Sequence, residues 1–512
     1  MNYFELASFI LYFVVVLAVG VYFFIKSKNQ GEKEYFLGGR DMGGLVAAFS
    51  AGASDMSAWV LMGLPGSIFL YGLGQVWISI GLLIGTVCAW LFIAPKLRRY
   101  AIKAKDSITI PEFLANRFNT KNPTLRISCA VIFVIAYCIY TASSLAACGD
   151  LFNLVLGIDK TVAMIIATAV IAIYTLLGGF KAVCWTDFFQ GMIMLAAFMI
   201  VPIVAVFMLN ATGPLGNVTT PDNYYSLLSS GSWDWASISN ILTGLGWGLG
   251  YFGMPHILVR YMSIRSEKEM KKSQIIGIVW IVIILTMATV VGLLGHSFLG
   301  DSLAPENKNL VFVNMVRSIF GYGAIALIGG LLLSAIIAAA MSTADSQLLA
   351  SSSAFASDIY KTTIRKKASD KEMLWVGRFA VAFVVIVALF IALFGSSDIM
   401  SLVSAAWSIF GAALGPVIIL ALFWRRLNYK GAVSGIITGF VVSLAWMVCC
   451  NLEYYISASS LIYNTGLYEI VPGFVAGLIV TIVVSLCTKA PSSEVTQLFD
   501  SVRKIKIDVE KS

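Results

Sequence analysis

The side chains best suited to chemistry in this sequence are hydroxyls and carboxylates inside strongly apolar stretches. Ser342, Thr343, Asp345 and Ser346 stand close together in a run made largely of alanine, isoleucine and leucine. Oxygen atoms of this kind are the ligands that small, hard cations prefer. A single serine or threonine can instead donate its hydroxyl to a carbonyl of its own helix, but the cluster favours an ion site.

Two further stretches carry residues that weaken a helix near its middle. The run Ser50–Ser57 consists of small and polar residues and includes Asp55, and the run Gly244–His256 contains five glycines and one proline. Non-helical backbone is tolerated at membrane depth only where it lines a cavity or is buried in protein, and paired interruptions typically mark a transporter's binding site. The alternative is that the glycines only allow close helix packing. Alternating glycines without a preceding strand do not fit a dinucleotide fingerprint.

The elements that must position these residues are long apolar helices. Of the 512 residues, 59% are hydrophobic and 12% are charged, about half the charge of a typical soluble domain. A spanning helix needs roughly 20 mostly apolar residues, and we predict about thirteen spanning segments in one all-α transmembrane domain, 1–512. Their approximate limits are 5–25, 43–64, 72–95, 127–156, 160–178, 187–209, 236–259, 274–298, 322–357, 374–394, 398–423, 430–450 and 468–487. Segments 127–156 and 322–357 are overlong, so we expect them to tilt, kink or extend beyond the membrane.

The positive charges fall mostly on one side of this predicted arrangement. All but three of the 35 Lys and Arg residues lie in one set of loops, the exceptions being Lys160, Lys308 and Arg317. The positive-inside rule then places the N-terminus outside and the tail 488–512 in the cytoplasm. The first segment lacks a basic stretch before it, so we expect a retained helix rather than a cleaved signal peptide. Topology explains the net charge of +8 without a nucleic-acid partner.

Features of other protein classes are weak in this sequence. The eight cysteines lie mainly in apolar stretches without paired metal-ligand spacing, and the adjacent Cys449 and Cys450 have poor disulfide geometry. We interpret them as small residues of the membrane core. We find no membrane metal motif, no nucleophile paired with a base and no cytosolic output domain, so we expect neither an enzyme nor a sensor. We also expect no cofactor and no obligatory protein partner.

The motifs resemble those of the sodium:solute symporter family, and within it the bacterial sodium/proline branch. The matching stretches run almost from end to end of the chain and are 35–40, 50–57, 62–66, 178–187, 246–258, 341–343 and 466–474. The resemblance implies a LeuT-like inverted repeat of five plus five helices. The first repeat would be segments 2–6, 43–209, and the second would be segments 7–11, 236–423, with segments 1, 12 and 13 at the periphery. The interruptions in segments 2 and 7, five segments apart, agree with such a repeat.

The same resemblance implies a sodium site between segments 2 and 9. Its ligands would be the backbone carbonyls of Ala53, Met56 and Ala339 and the hydroxyls of Ser342 and Thr343. Asp55 is implied as essential for sodium coupling, acting through its field or as a ligand. Arg40 and Asp187, which we expect at cytoplasmic helix ends, would serve coupling or inner gating. Each has a plainer alternative, an interfacial charge for Arg40 and a helix N-terminal acid for Asp187. Asp345 adds a second intramembrane acid, which leaves a second cation site open.

The implied substrate is L-proline, carried inward with sodium across the plasma membrane of a cell. Its pocket would be formed by Ser57, Tyr140, Trp247, Tyr251 and Pro255. Aromatic faces suit a compact pyrrolidine ring, and its ammonium can lie over a ring. Met254, directly before Pro255, is a departure that could change ligand contacts. Another small solute (a different amino acid, an organic acid, a vitamin or a sugar) stays open as the alternative, as does a proton as the coupling ion.

Overall fold

The computed structural model describes residues 3–26, 31–395, 398–456 and 465–503, and in this part of the chain the structure is helical with no β-strand. A single parallel β-bridge joins Met42 and Ile264 within the same residues. The α-helices are α1 Tyr3–Lys26, α2 Glu32–Leu37, α3 Gly44–Asp55, α4 Ala58–Leu61, α5 Gly63–Tyr71, α6 Val76–Cys88, α7 Ala94–Lys103, α8 Ile110–Arg117, α9 Thr124–Leu156, α10 Lys160–Thr212, α11 Trp235–Gly246, α12 Pro255–Ser263, α13 Glu267–Leu299, α14 Val311–Phe320, α15 Ala326–Ser353, α16 Asp370–Phe394, α17 Ile399–Phe423, α18 Tyr429–Ile456, α19 Ile470–Cys487 and α20 Ser493–Arg503.

The helical, membrane-spanning architecture predicted from the sequence is confirmed, whereas the count of thirteen stays a prediction. Among the described residues, ten helices are long and apolar enough to span a bilayer, and the bent pair of Gly44–Asp55 with Ala58–Tyr71 makes up to eleven. The other two predicted spans are a shorter apolar helix, Lys160–Ile173, and the interrupted run that contains α11 and α12. Interruption shortens α11 and α12 below the length of a spanning helix, which is why that run escapes a criterion based on length.

Both overlong segments are long helices, and one predicted boundary was wrong. The helix α9 has 33 residues, and α15 continues as a π-helix, Ala354–Ile364. The break between predicted segments 5 and 6 is confined to Gly179, whose φ of 64° is non-helical, so residues 180–186, expected outside the spanning segments, are helical. The helix resumes directly after this glycine. Residues 504–512 of the predicted tail lie outside the described residues, and Ser493–Arg503 form α20, which packs against α7 and α8.

The two interrupted helices lie inside a frame of continuous ones. The first, α3 with α4 and α5, packs against α10, α13 and α15. The second runs from α11 through a 3-10 helix, Trp247–Phe252, to α12, and its 3-10 part lies between α6 and α17. Long apolar side chains cover the outside of the bundle, as expected for a surface in contact with lipid. The polar residues singled out in the sequence are therefore placed at the centre of the protein.

Glycines bring α6 and the second interrupted helix into backbone contact. A Cβ added to Gly81 would lie 2.2 Å from the carbonyl oxygen of Gly244, and one added to Gly85 would lie 2.2 Å from that of Gly248. Neither helix therefore has room for a side chain at these positions. Close packing was the alternative explanation of the glycine run, and here it coexists with the interruption of the helix.

Candidate functional site

The first interruption frees a backbone carbonyl in the protein interior. The helix α3 ends at Asp55, Met56 has a non-helical ψ of 71°, and the axis bends by 71° before α4 and α5. The N–H of Ser57 donates to the carbonyl of Asp55 at 2.9 Å instead of to the Ala53 carbonyl four residues back. The Ala53 carbonyl is thereby left without its usual helical partner.

A hydroxyl of α15 meets this freed carbonyl. Ser342 Oγ lies 2.8 Å from the carbonyl oxygen of Ala53 and 3.1 Å from that of Ala339. Ser342, itself a predicted ligand, therefore contacts two other predicted ligands. Thr343 Oγ1, on the next residue, is buried without a hydrogen-bond partner. Met56 is buried at the same interruption. Within the described residues no group of three or more His, Cys, Asp or Glu side chains could hold a metal ion. A set of carbonyl and hydroxyl oxygens of this kind is suited to sodium rather than to a transition metal.

Asp55 connects the first interrupted helix to the second. The hydroxyl of Tyr251 donates a hydrogen bond to Asp55 Oδ2, while Oδ1 has no partner, and the carboxylate is buried. The hydroxyl of Tyr140 lies 3.5 Å from the carbonyl oxygen of Asp55, at the outer limit for a hydrogen bond. The residue predicted for ion coupling is therefore in direct contact with two residues predicted for substrate binding.

Aromatic side chains surround the middle of the second interrupted helix. Trp247 stacks on Tyr468, with ring centroids 5.1 Å apart, and its ring centroid lies 6.0 Å from that of Trp59. Trp407 donates its indole N–H to the Trp247 carbonyl at 2.7 Å and meets Tyr251 edge-on at 5.3 Å. The interruption thus presents a compact, largely apolar aromatic lining.

Of the predicted pocket residues, the structure brings Tyr140 and Tyr251 together at Asp55, and Trp247 and Tyr251 together at Trp407. Three aromatic neighbours were missed. Pro255 begins α12, where its missing N–H costs no helical hydrogen bond, and Ser57 caps the start of α4, its hydroxyl accepting from the N–H of Trp59. The additional aromatic residues are Trp59, Trp407 and Tyr468. Trp59 follows the polar run of segment 2 and Tyr468 lies within the matching stretch 466–474, so both had a sequence signal, whereas Trp407 looks like any tryptophan of an apolar helix.

A buried ion pair lies behind the predicted sodium ligands. Arg260 donates to Asp187 Oδ2 at 2.8 Å, to Ser50 Oγ at 2.7 Å, and to Ser346 Oγ. Both charged side chains are almost fully buried. Asp345 accepts a hydrogen bond from Ser346 at 3.2 Å, and its other oxygen has no partner. One buried cation is thereby surrounded by hydroxyls and lies near two acids.

Two placements expected from the sequence were wrong. Asp187 is not at a helix end, because the helix resumes after Gly179 and continues without a break through Asp187. It is therefore not an acid that simply suits a helix N-terminus. Arg260, which the charge distribution assigns to a cytoplasmic loop, lies within α12 and is 2% exposed. An arginine near the end of an apolar segment looks like a loop residue until its partner is known.

Arg40 lies in the short 3-10 turn before α3 and joins three segments. Its guanidinium donates to Asp106 at 2.8 Å, to the carbonyl of Met262 at 2.6 Å and to that of Ser107 at 2.5 Å. Burial lowers the pKa of Arg40, and the Asp106 carboxylate opposes this shift. The residue is 1% exposed, so it is not a solvated interfacial charge. It ties the start of α3 to the end of α12.

Comparison with known proteins places this architecture in a family. The model of the sodium:solute symporter family matches residues 35–439. The osmoregulated proline transporter OpuE of Bacillus subtilis (strain 168) is 40% identical over 500 residues, which are 97% of each chain. The high-affinity proline transporter PutP of the same organism is 41% identical, over 95% of this chain and 98% of its own. The sodium/proline symporter 2 of Staphylococcus saprophyticus is 41% identical, over 97% and 95% of the two chains.

Solved structures share the fold at lower identity. The outward-open, substrate-bound state of a Na+-coupled sialic acid symporter matches with a TM-score of 0.75 and 21% identity, covering 96% of this chain and 99% of that one. Mhp1, a nucleobase-cation-symport-1 family transporter, matches with a TM-score of 0.52 and 14% identity over 91% and 98% of the two chains. These likenesses support the LeuT-like fold and, at this identity, carry nothing about the substrate.

Proposed function

Because the chain belongs to the sodium:solute symporter family, we propose that it carries L-proline into the cell together with sodium. The protein is a transporter rather than an enzyme, a multi-span protein of the plasma membrane with Na+ as its coupling ion. Relatives at 40–41% identity over nearly the whole chain are named proline transporters or sodium/proline symporters. The structural observation that best supports coupling is the contact of Ser342 with the freed carbonyl of Ala53.

For the ion, we propose a site made only of oxygen atoms. Ala53, Met56 and Ala339 would supply carbonyls, and Ser342 and Thr343 would supply hydroxyls. Support comes from the hydrogen bonds that Ser342 makes to two of these carbonyls and from the buried, unpartnered hydroxyl of Thr343. On sodium binding the two hydroxyls would turn their lone pairs to the ion, so that the ion replaces the hydrogen bond from Ser342 to Ala53 that joins α15 to α3.

For the substrate, we propose the aromatic lining of the second interruption together with Ser57. Tyr140, Trp247, Tyr251 and Pro255 would enclose the pyrrolidine ring, whose ammonium can lie over an aromatic face. The hydrogen bond from Tyr251 to Asp55 supports direct communication between the two sites. Sodium binding would fix the interruption of α3, and through Asp55 it would fix the tyrosine that faces the substrate.

The remaining charges are proposed to act in coupling. Asp187 and Asp345 would hold a negative field behind the sodium site, and the Asp345 oxygen without a partner leaves room for a second cation. Arg40 would keep the inner ends of α3 and α12 together until both ligands are bound. Intramembrane ionisable groups are costly, and they generally mark ion pathways.

We also propose the orientation of the chain in the membrane and the boundaries of the two repeats. The N-terminus would lie outside and the C-terminus in the cytoplasm, which the distribution of lysine and arginine supports. The repeats would be 43–209 and 236–423, since the first helix of each is the interrupted one. In alternating access the central site would open first to one side of the membrane and then to the other. Each sodium ion moving inward would release about 2.3 kcal/mol per 100 mV of membrane potential.

The test is uptake of radiolabelled L-proline into proteoliposomes, with an inward sodium gradient against a choline control, for the wild type and Asp55→Asn. We expect uptake that requires sodium and is lost in the variant. Uptake of proline without sodium would contradict the coupling. Absence of proline uptake, with sodium-driven uptake of another amino acid, organic acid, vitamin or sugar, would assign the alternative substrate class to the same fold.

A further inference from the structure

The indole of Trp247 receives no side-chain support from its immediate neighbours in the chain. Gly246 and Gly248 flank it, and neither has a side chain that could contact the ring. Trp247 lies in the 3-10 part of the second interrupted helix and is nevertheless buried. Groups from other parts of the chain must therefore cover this ring and fix the plane of the indole.

A stretch of chain that follows the second proposed repeat supplies this cover. Tyr468 lies just before α19, and its ring stacks on that of Trp247 with the centroids 5.1 Å apart and the planes at 26°. A Cβ added to Gly246 would lie 2.7 Å from Cγ2 of Val471 and 3.3 Å from Cγ2 of Ile470. The start of α19 thus fills the space that the glycine leaves open beside Trp247.

Hydrogen bonds from two helices hold this stretch, residues 465–471, which we call the strap. The hydroxyl of Tyr468 donates to the carbonyl of Ser404 in α17 at 2.6 Å. The backbone N–H of Tyr468 donates to Thr243 Oγ1 in α11 at 3.1 Å. Because Tyr468 is fixed both at its hydroxyl and at its backbone, its ring cannot turn away from Trp247 without the loss of one of these hydrogen bonds.

We propose that Tyr468 is a positioning residue for the substrate site, which acts by holding the indole of Trp247 in place. This inference rests on the proposed function, in which Trp247 helps to enclose the pyrrolidine ring. A pair of aromatic rings has preferred relative orientations and contributes beyond the area that it buries. Solute affinity would therefore depend on a helix outside both proposed repeats. The proposed sodium ligands lie at α3 and α15, so loss of the stack should leave sodium affinity unchanged.

The test compares Tyr468→Leu and Tyr468→Phe with the wild type in proteoliposomes. It measures the KM for proline at saturating sodium and the half-saturating sodium concentration at saturating proline. Tyr468→Leu removes the stacked ring, so the KM for proline should rise by about 10-fold, the upper value for one aromatic pair. The maximal rate and the half-saturating sodium concentration should stay at their wild-type values. Tyr468→Phe keeps the ring and should restore most of the lost affinity.

Phe474→Leu is the matched control, because it makes the same kind of change in the same helix. Phe474 is 7% exposed, as Tyr468 is. Its ring adjoins Gly415 of α17, where an added Cβ would lie 2.7 Å from Phe474 Cε2. Phe474→Leu should lower the Tm about as much as Tyr468→Leu does, while its KM for proline stays at the wild-type value. The control thus separates a loss of packing from a loss of positioning.

Three results would count against the role of Tyr468. An equal rise of the KM for proline in Tyr468→Leu and Phe474→Leu would overturn it, as would a rise of the half-saturating sodium concentration that matches the rise for proline. Sodium-driven proline uptake with an unchanged KM in Tyr468→Leu would overturn it and leave the proposed function intact. Absence of proline uptake by the wild type would refute the proposed function itself, and this role in proline binding with it.

Discussion

Ser342→Ala should lower the apparent affinity of transport for sodium, and substitution of another buried serine of the same helix should not. The hydroxyl of Ser342 reaches out of α15 to the Ala53 carbonyl at 2.8 Å. Ser334, two turns earlier on the same helix and equally buried, donates only to the carbonyl of Gly330 in its own helix at 2.8 Å. Ser334→Ala therefore removes the same atom from the same helix without touching the proposed sodium site.

The magnitude follows from the loss of one polar contact to an ion. A polar contact to a charged group contributes about 1.5–3 kcal/mol, and a tenfold change in affinity corresponds to about 1.4 kcal/mol. The sodium concentration for half-maximal uptake should thus rise by about 10- to 100-fold in Ser342→Ala. Ser342→Ala also leaves the Ala53 carbonyl without this hydrogen bond, whereas the Gly330 carbonyl lies within the continuous helix α15. The Tm of both variants is therefore measured beside their sodium affinity, because the loss of a buried partner alone lowers stability.

The assay is proline uptake into proteoliposomes at saturating proline, with the external sodium concentration varied and choline replacing it to hold the ionic strength constant. Ser334→Ala should keep the wild-type sodium dependence. A wild-type sodium dependence in Ser342→Ala, or an equal shift in both variants, would refute the assignment of Ser342 as a sodium ligand.

Three further substitutions test other contacts. Tyr251→Phe removes the hydroxyl that donates to the Asp55 carboxylate, so the half-saturating proline concentration at high sodium should rise about 10-fold. An unchanged half-saturating concentration would argue against this contact. Arg260→Met leaves the carboxylate of Asp187 buried without its cation, which costs about 3–5 kcal/mol. The Tm of this variant should therefore be lower than that of the double variant Arg260→Met with Asp187→Asn, and a double variant whose loss of Tm is the sum of the two single losses would contradict the pairing. Gly253→Ala places a Cβ 2.3 Å from a backbone oxygen of α17 and should lower the yield and Tm of folded protein. Gly74→Ala, where the nearest atom to the added Cβ is 3.5 Å away, should lower neither, and equal yields of the two variants would show that the backbone at Gly253 can separate from α17.

Local composition predicted where the helices are interrupted. Small and polar residues in 50–57 and glycines in 244–256 weaken the helical backbone by themselves, so the breaks at Met56 and before Pro255 could be found without knowing any contact. The charge asymmetry between loops is likewise a property of the chain alone.

Pairings between distant segments could not be found in this way. The burial of Arg260 depends on Asp187, 73 residues away, and on the fact that the helix resumes at Gly179. Both Gly178 and Gly179 are compatible with a break, and only packing decides where the helix begins again. Trp407 joins the aromatic lining for the same reason, since its indole meets a carbonyl 160 residues away.

The backbone contact of Gly81 and Gly85 with Gly244 and Gly248 determines which parts of the protein can shift against each other. Rotating or sliding one helix past the other would require a carbonyl group to pass over an α-carbon at a separation that leaves no room for even a methyl group. We infer that α6 and the second interrupted helix travel as one rigid body. The aromatic lining would then move with a unit larger than the helix that bears it, and the hinges of the proposed cycle would lie where side chains, rather than backbones, are in contact.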